Sequence, residues 1–421
     1  MIEQEGFKRL RANCISTGLC YECGACEVAC PNGALRLRQY KFCRTPELVN
    51  NCVNGYCDRC YRACAARHVP LTAIESTFFG RNRRHVFPGR SGDYPNEHDE
   101  DKCGIVRNVY MGYALDEKIH GQAVSGGVST ALLTYALESG MIDGAIVAGF
   151  DPDVPYEAKA VVATTPDEIL ACAGSKYQPH PQLLGLREAV ARGLERIAIT
   201  CTPCHALSLR KMMLDAEFDD IVGRVKLIIG NICGSHWGRH GTENLIRNWM
   251  KTDLKDVAAL KYRARPFPGD FVVTLKNGEE RRKSFVAGSG SGLSQLAKFT
   301  PEECRYCLEK AASVTDIVVG DIWHHPVLTP KLLDTYTDEE VAADERIACA
   351  RKGLTAVVIR SEAGQRFLDA AREGGAIRLF EETEPVWREF LCGVHDYGKP
   401  ISNGPVIDAR IVRGQPVREY F

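Results

Sequence analysis

Arg196-Ile197-Ala198-Ile199-Thr200-Cys201-Thr202-Pro203-Cys204-His205 decides the architecture of most of this chain. Residues 196–200 read as a buried strand, and a helix is expected to begin near His205. The same alternation runs outward on both sides. Upstream, a helix over 128–136 is entered through Ser125-Gly126-Gly127, strands are expected at 145–148 and 158–163, and Thr165 is placed to cap a helix over 166–172. A further helix over 182–191 leads into the quoted strand. Downstream, a strand at 225–229 ends in Gly230-Asn231-Ile232-Cys233-Gly234. Segments 271–275 and 279–284 flank Asn277-Gly278, a hairpin signal, and a strand at 355–360 precedes an amphipathic helix over 362–372. The pattern predicts an α/β core on a mixed or parallel sheet. Ligands bind such sheets beyond the carboxyl ends of strands, so two strands ending in cysteine aim thiols at one rim.

Ahead of this core stands a different composition. Eleven of the 19 cysteines fall within residues 14–103, four of them as Cys20-x2-Cys23-x2-Cys26-x3-Cys30-Pro31. That spacing holds [4Fe–4S] clusters in bacterial ferredoxins, with the fourth cysteine reaching to a second cluster. Cys52, Cys57, Cys60 and Cys64 follow, with Ala65 where proline would stand. One cluster is therefore assigned to Cys20, Cys23, Cys26 and Cys64, and the other to Cys30, Cys52, Cys57 and Cys60, with Cys43 the substitute for Cys52. A C-x2-C zinc site and a disulfide framework are the competing readings. Residues 1–70 carry ten Lys/Arg against six Asp/Glu. Arg36, Arg38, Arg59 and Arg62 are placed to offset the anionic clusters.

With 421 residues the chain has room for two or three domains and a substantial core. A formal net charge of -1 argues against a general nucleic-acid partner. No secretory signal and no apolar run near 20 residues is present, so direct membrane insertion is not expected. Many cysteines without an export signal point to a reducing cytoplasm. The boundaries read as a ferredoxin-like domain over 1–74, a connector over 75–110, the two parts of the core over 111–195 and 196–390, and a tail over 391–421.

A third cysteine group is discontinuous. Cys304 and Cys307, with Cys204 and Cys233, supply four thiolates from three loops, enough for a third [4Fe–4S] cluster. The rival is a redox pair of Cys201 and Cys204. Cys14, Cys103, Cys172, Cys349 and Cys392 lack partners at ligand spacing and read as small buried hydrophobes.

Several segments carry a family resemblance. They are Ser125-Gly126-Gly127-Val128-Ser129-Thr130-Ala131-Leu132-Leu133, Gly174-Ser175-Lys176-Tyr177, Thr202-Pro203-Cys204, Tyr262-Arg263 with Pro268-Gly269, Cys304-Arg305-Tyr306-Cys307, and Asp316-Ile317-Val318-Val319-Gly320-Asp321. In order and spacing, residues 110 to about 385 resemble the beta subunits of coenzyme F-420 (deazaflavin) hydrogenases and dehydrogenases. The same core occurs in 7-hydroxymethyl chlorophyll a reductase, which also places iron–sulfur cysteines first. Cys201 departs from the family, which commonly has a small residue there, and so does the complete two-cluster head.

The resemblance implies an α/β flavoprotein core that binds FAD, and an anaerobic oxidoreductase subunit exchanging a hydride with a deazaflavin or similar carrier. Single electrons would pass through three [4Fe–4S] clusters to a hydrogenase, dehydrogenase or ferredoxin partner. Ser125, Gly126, Gly127, Ser129 and Thr130 are expected at the FAD pyrophosphate, where glycines admit the backbone and a helix offers free N–H groups. Ser175, Lys176, Tyr177, Asn231 and Asp321 complete the expected cofactor site, with Lys176 the candidate catalytic residue. Asp316 and Asp321 flank one strand and are read as orienting a loop or binding ribose. Gly288-Ser289-Gly290-Ser291-Gly292 reads as a flexible loop or lid. Two rivals stand beside this reading: a self-contained ferredoxin-driven reductase of an organic substrate, and a non-catalytic zinc-binding adaptor.

Overall fold

A computed structural model describes residues 3–53, 55–83, 100–286, 290–322, 328, 337–382 and 399–421. Residues 288 and 289 of the glycine–serine loop, and Cys392, lie outside them. In the head, the short helix Ala25–Val28 follows Gly24 in a left-handed conformation (φ 92°). Strands β1 (Leu35–Gln39) and β2 (Arg44–Leu48) form an antiparallel hairpin, and β3 (His68–Val69) is a two-residue strand. The helix Leu71–Phe79 then runs into the segment read as a connector.

The core begins with β4 (Asn108–Ala114), β5 (Gly144–Phe150), β6 (Ala158–Ala163), β7 (Ile197–Cys201) and β8 (Val225–Asn231). A separate antiparallel sheet of β9 (Val257–Ala264), β10 (Asp270–Leu275) and β11 (Glu280–Ser284) interrupts it. The core resumes with β12 (Ile317–Asp321), β13 (Thr355–Ile359) and β14 (Ile377–Glu381). Near the end of the chain, β15 (Glu419–Tyr420) pairs in parallel with β3 of the head. The main sheet is ordered β14-β4-β13-β12-β8-β7-β5-β6. Its inner strands β12, β8, β7 and β5 are mutually parallel, and the flanking pairs are antiparallel. This is the mixed α/β sheet that the alternation predicts.

Both faces of the inner strands are covered, which is why they read as continuous apolar runs. Side chains alternate between two cores. Ala145, Val147, Ala198, Leu227 and Ile229 pack beneath the helices Val128–Glu138 and Glu362–Glu373. Ile146, Ile199 and Ile228 face the other way, into a core that also contains Leu19, Tyr21 and Val28 of the head. The head therefore shares a core with the sheet. A segment of about 70 residues has little apolar surface to bury alone, and here one face of the sheet supplies the rest.

Asp316 departs from its expected role. It lies at the amino end of β12, away from the carboxyl rim, and is buried. Its Oδ1 accepts from Arg210 (2.7 Å) and from the Ser361 hydroxyl (2.6 Å), and its Oδ2 from the Ile228 N–H (2.8 Å). It fastens the helix carrying Arg210, the strand β8 and the cap of the helix Glu362–Glu373. Replacing it strands a buried guanidinium, so Asp316→Ala is expected to cost about 3–5 kcal/mol, measurable as a lowered denaturant midpoint.

Candidate functional site

The carboxyl ends of the four parallel strands open into one cleft of about 300 Å³, the scale of a small-molecule site. Ala148 of β5, Thr200 and Cys201 of β7, Asn231 of β8 and Asp321 of β12 form its floor. Ser125, Gly127, Ser129 and Thr130 form one wall, and Ser175, Lys176 and Tyr177 another. All of the expected cofactor residues except Gly126 thus line a single space. Gly126 packs behind it. Its N–H donates to Thr355 Oγ1 (2.9 Å) and its carbonyl accepts from Ala114 (2.7 Å). A Cβ there would meet the Gly112 carbonyl oxygen at 2.2 Å, so this glycine is required by backbone packing against β4.

Gly127 is the left-handed residue (φ 74°) that starts the helix Val128–Glu138, and no side chain caps that terminus. Val128, Ser129 and Thr130 of its first turn line the cleft, a donor set suited to a dinucleotide pyrophosphate. Lys176 is committed locally. Its Nζ donates to the carbonyls of Cys172, Ala173 (3.3 Å) and Gly174 (3.0 Å), closing the end of the helix Pro166–Ala171. Burial pushes its ammonium down to about 8. Asp321 pairs with Arg263, which projects from β9 of the small sheet and is itself buried on the cleft. That carboxylate anchors the small sheet to the rim while lining the cleft.

Three histidines line the cleft that no sequence spacing marks: His180, His205 and His236. The His205 ring lies 5.6 Å from His180 and 6.3 Å from His236. His205 is 1% exposed and its Nδ1 meets Thr202 Oγ1 at 3.1 Å, while its buried Nε2 has no protein partner. Burial and the two neighbouring rings hold its pKa well below the ordinary histidine value. A polar atom of a bound group would satisfy that nitrogen, so the cleft fits a ligand with a heteroatom-rich edge, such as a flavin.

The thiols gather in three groups. Cys20, Cys23, Cys26 and Cys64 interact with one another around a small cavity. Cys60 faces Cys57, Cys30 and Cys52, while Cys43 is exposed on the β1–β2 turn. Cys204 faces Cys233, Cys307 and Cys304, and Cys233 also lines the cleft. Burial pushes the Cys23 and Cys60 thiols up to about 12, so metal ligation by them would release protons. Among the described residues no three His, Cys, Asp or Glu close around a single metal-ion position. Thiols that ring a four-iron cube stand wider apart than that. Backbone N–H groups already point at sulfur, from Ala34 to Cys30 (3.2 Å), Ala25 to Cys23 (3.4 Å) and Ala66 to Cys64 (3.5 Å). The donor sets fit [4Fe–4S] ligation.

Other expectations change. Cys201 is buried in the electrostatic range of Arg210 and Asp316, apart from the thiols that face Cys204. Cys14 lines the inner head cavity and hydrogen-bonds Cys64, holding that thiol below the ordinary cysteine value. Cys172 lines the cleft; Cys103 and Cys349 are buried as expected. Arg36, Arg38, Arg59 and Arg62 pair with Glu27, Glu47, Glu217 and the Asp58–Asp215–Glu217 group. Lys211 and Arg418 are the cations that reach Cys64. Among the described residues no helix is long and apolar enough to cross a membrane.

Comparison with known proteins gives two family matches. Residues 109–187 match the model described as "Coenzyme F420 hydrogenase/dehydrogenase, beta subunit N-term", and residues 194–385 match its C-terminal counterpart. The beta subunit of coenzyme F420 hydrogenase from Methanosarcina barkeri is 30% identical over 211 residues, covering 50% of this chain and 68% of that protein. One subunit of the F(420)H(2) dehydrogenase from Methanosarcina mazei is 23% identical over 376 residues, covering 89% of this chain and 88% of the other. A chain in the solved structure of the F420-reducing [NiFe] hydrogenase complex from Methanosarcina barkeri shares the fold. It has a TM-score of 0.56 at 23% identity and covers 76% of this chain and 99% of that one.

Two outcomes test this geometry. Gly126→Ala is expected to destabilise the protein by roughly 1–3 kcal/mol through overpacking, seen as a lower thermal midpoint. For Lys176 the folded-state value near 8 lies below the ordinary 10.5. Across that window the unfolded chain keeps a proton that the folded chain has released, so stability gains with rising pH. Lys176→Met is expected to remove that gain when thermal midpoints at pH ~8 and ~10 are compared with the native protein.

Proposed function

The chain belongs to the family of coenzyme F420 hydrogenase and dehydrogenase beta subunits, and on that premise we propose that it is an FAD- and iron–sulfur-containing subunit of an F420-linked cytoplasmic oxidoreductase. When bound, FAD would supply the exchange between a hydride and single electrons, and three [4Fe–4S] clusters would supply single-electron carriage. The observation that carries this reading is the position of Cys233, whose thiol group faces Cys204 while the residue also lines the cleft.

The residues divide the work by position. The free N–H groups at the start of the helix Val128–Glu138, with Ser129 and Thr130, receive the pyrophosphate. His205 meets a polar edge of the ring system through Nε2, in a site that Thr202 orients. Lys176, spent on three carbonyls, shapes the wall and contributes charge there below its depressed pKa; this makes it a positioning residue. Arg263, paired with Asp321, holds the small sheet against the cleft that it lines. Cys204, Cys233, Cys304 and Cys307 hold the flavin-side cluster. Cys20, Cys23, Cys26 and Cys64 hold the inner head cluster, and Cys30, Cys52, Cys57 and Cys60 the outer one. Cys52 and Cys57 are partly exposed, which puts the outer cluster toward a hydrogenase, dehydrogenase or ferredoxin partner.

Anaerobic titration of the FAD- and iron-reconstituted protein with reduced deazaflavin coenzyme tests the reading. Prompt bleaching of flavin and cluster absorbance together is expected. No response to deazaflavin, beside rapid reduction by ferredoxin, would favour a self-contained ferredoxin-driven reductase. Zinc in place of iron, with no flavin bound, would mean an adaptor. Cys204→Ser is expected to lose roughly a third of the iron and to uncouple flavin bleaching from head-cluster reduction. Retention of all iron with normal transfer would remove Cys204 from the ligand set.

A further inference from the structure

The family matches end at residue 385, yet the end of the chain returns to the thiol groups. On the helix Lys399–Val412, Asn403 is buried and its Nδ2 donates to the carbonyls of both Cys304 and Cys307, each at 2.8 Å. Arg410, also buried, stacks on Tyr306 at 4.0 Å and donates to the Thr17 carbonyl at 2.8 Å. One helix thus grips the Cys304–Cys307 loop and the head at once. The chain then pairs β15 with β3 of the head.

Arg418 immediately precedes that strand. Its Nη1 lies 3.9 Å from Cys307 Sγ, its Nε 3.4 Å from the Ala66 carbonyl oxygen, and its guanidinium carbon 5.0 Å from the centre of the Tyr21 ring. Cys64 feels the same charge. The guanidinium therefore stands between a thiol of the flavin-side quartet and a thiol of the inner head quartet. The ionisable groups that act on it most strongly are Tyr420, Cys307 and Tyr21, with Glu303 also in reach.

We propose that the C-terminal segment is the bridge between these two cluster sites, and that Arg418 is a positioning cation shared by both. The role rests on the cluster assignment above. A thiolate-ligated cluster is anionic, and reduction adds further negative charge. A fixed cation in a low-dielectric site favours the reduced form of each neighbour and raises its potential. Because one charge serves two clusters, it raises both together and keeps them matched for transfer. Arginine suits the place because its planar fork can face sulfur and a carbonyl while its face lies on an aromatic ring. The outer quartet provides an internal reference, since the nearby Arg59 and Arg62 are paired with Glu217.

The test is an EPR-monitored redox titration of the full chain, reconstituted anaerobically, as native protein, Arg418→Gln and Arg418→Lys, with iron and sulfide content measured on each. Arg418→Gln is expected to lower the midpoint potentials of two clusters and leave the third unmoved. Arg418→Lys, which keeps the charge, is expected to hold both near the native values. If Arg418→Gln assembles incompletely, loss confined to those two sites and retention in Arg418→Lys supports the shared charge. Unchanged potentials at full iron content in Arg418→Gln, or equal losses in both variants, would overturn it. Native protein that itself fails to take up iron for three clusters would refute the cluster assignment instead, a result visible before any variant is compared.

Discussion

The helix Pro203–Met213 is the constraint on which the rest of the molecule depends, because its residues touch the cleft and the inner head quartet at fixed spacing. Cys204 stands at its first turn, beside the cleft, with the thiol 3.2 Å from Thr202 Oγ1. One turn on, the Ser208 hydroxyl lies 2.7 Å from the Tyr21 hydroxyl and 3.7 Å from Cys23 Sγ, and accepts from the Ala65 N–H. Arg210 locks the helix to Asp316 under the sheet. Lys211 donates to the Cys64 and His68 carbonyls at 2.7 and 2.9 Å. A rigid helix rises about 1.5 Å per residue, so the Cys204 quartet and the inner head quartet are held apart by a set length of backbone.

Around that helix, the head and the sheet have lost their independence. They share a core through Ile146, Ile199 and Ile228, and the closing strand β15 ties the end of the chain to β3. Shared packing resists relative motion of the cluster sites. The same burial pushes the Cys23 and Cys60 thiols up to about 12, so any metal they took up would have to displace their protons. N–H groups aimed at Cys23, Cys30 and Cys64 stand ready to stabilise the thiolate form.

The cleft is built by two kinds of neighbour. The rim of the parallel strands brings main-chain turns and small side chains, while the small sheet contributes Arg263 and an aromatic cluster in which Tyr177 stacks on Phe285 at 5.4 Å. The Arg263–Asp321 pair joins them. His205 Nε2 is buried on the cleft wall without a protein partner. An unsatisfied buried nitrogen is costly in a finished core, and on this cavity wall a polar atom of a bound molecule would satisfy it.

Much of this is legible in local pattern. Alternating strands and helices follow from apolar periodicity, and Thr165 caps its helix through a reciprocal bond with Glu168. The thiol groups follow from short spacing in the head and from two strand ends at one rim. Gly126 escapes such a reading because a glycine before a helix looks the same whether a phosphate or a neighbouring strand excludes its side chain. Asp316 escapes it because flanking a strand says nothing about which end faces the cleft. His205, Asn403 and Arg418 carry no spacing signal at all, since their partners lie across the fold; Arg418 is 111 residues from Cys307. By itself, then, the sequence determined the strand–helix order and the donor atoms, because periodicity and ligand spacing are local. Only tertiary structure decided which polar atoms face the cleft and where the last residues return, because those depend on packing between segments remote along the chain.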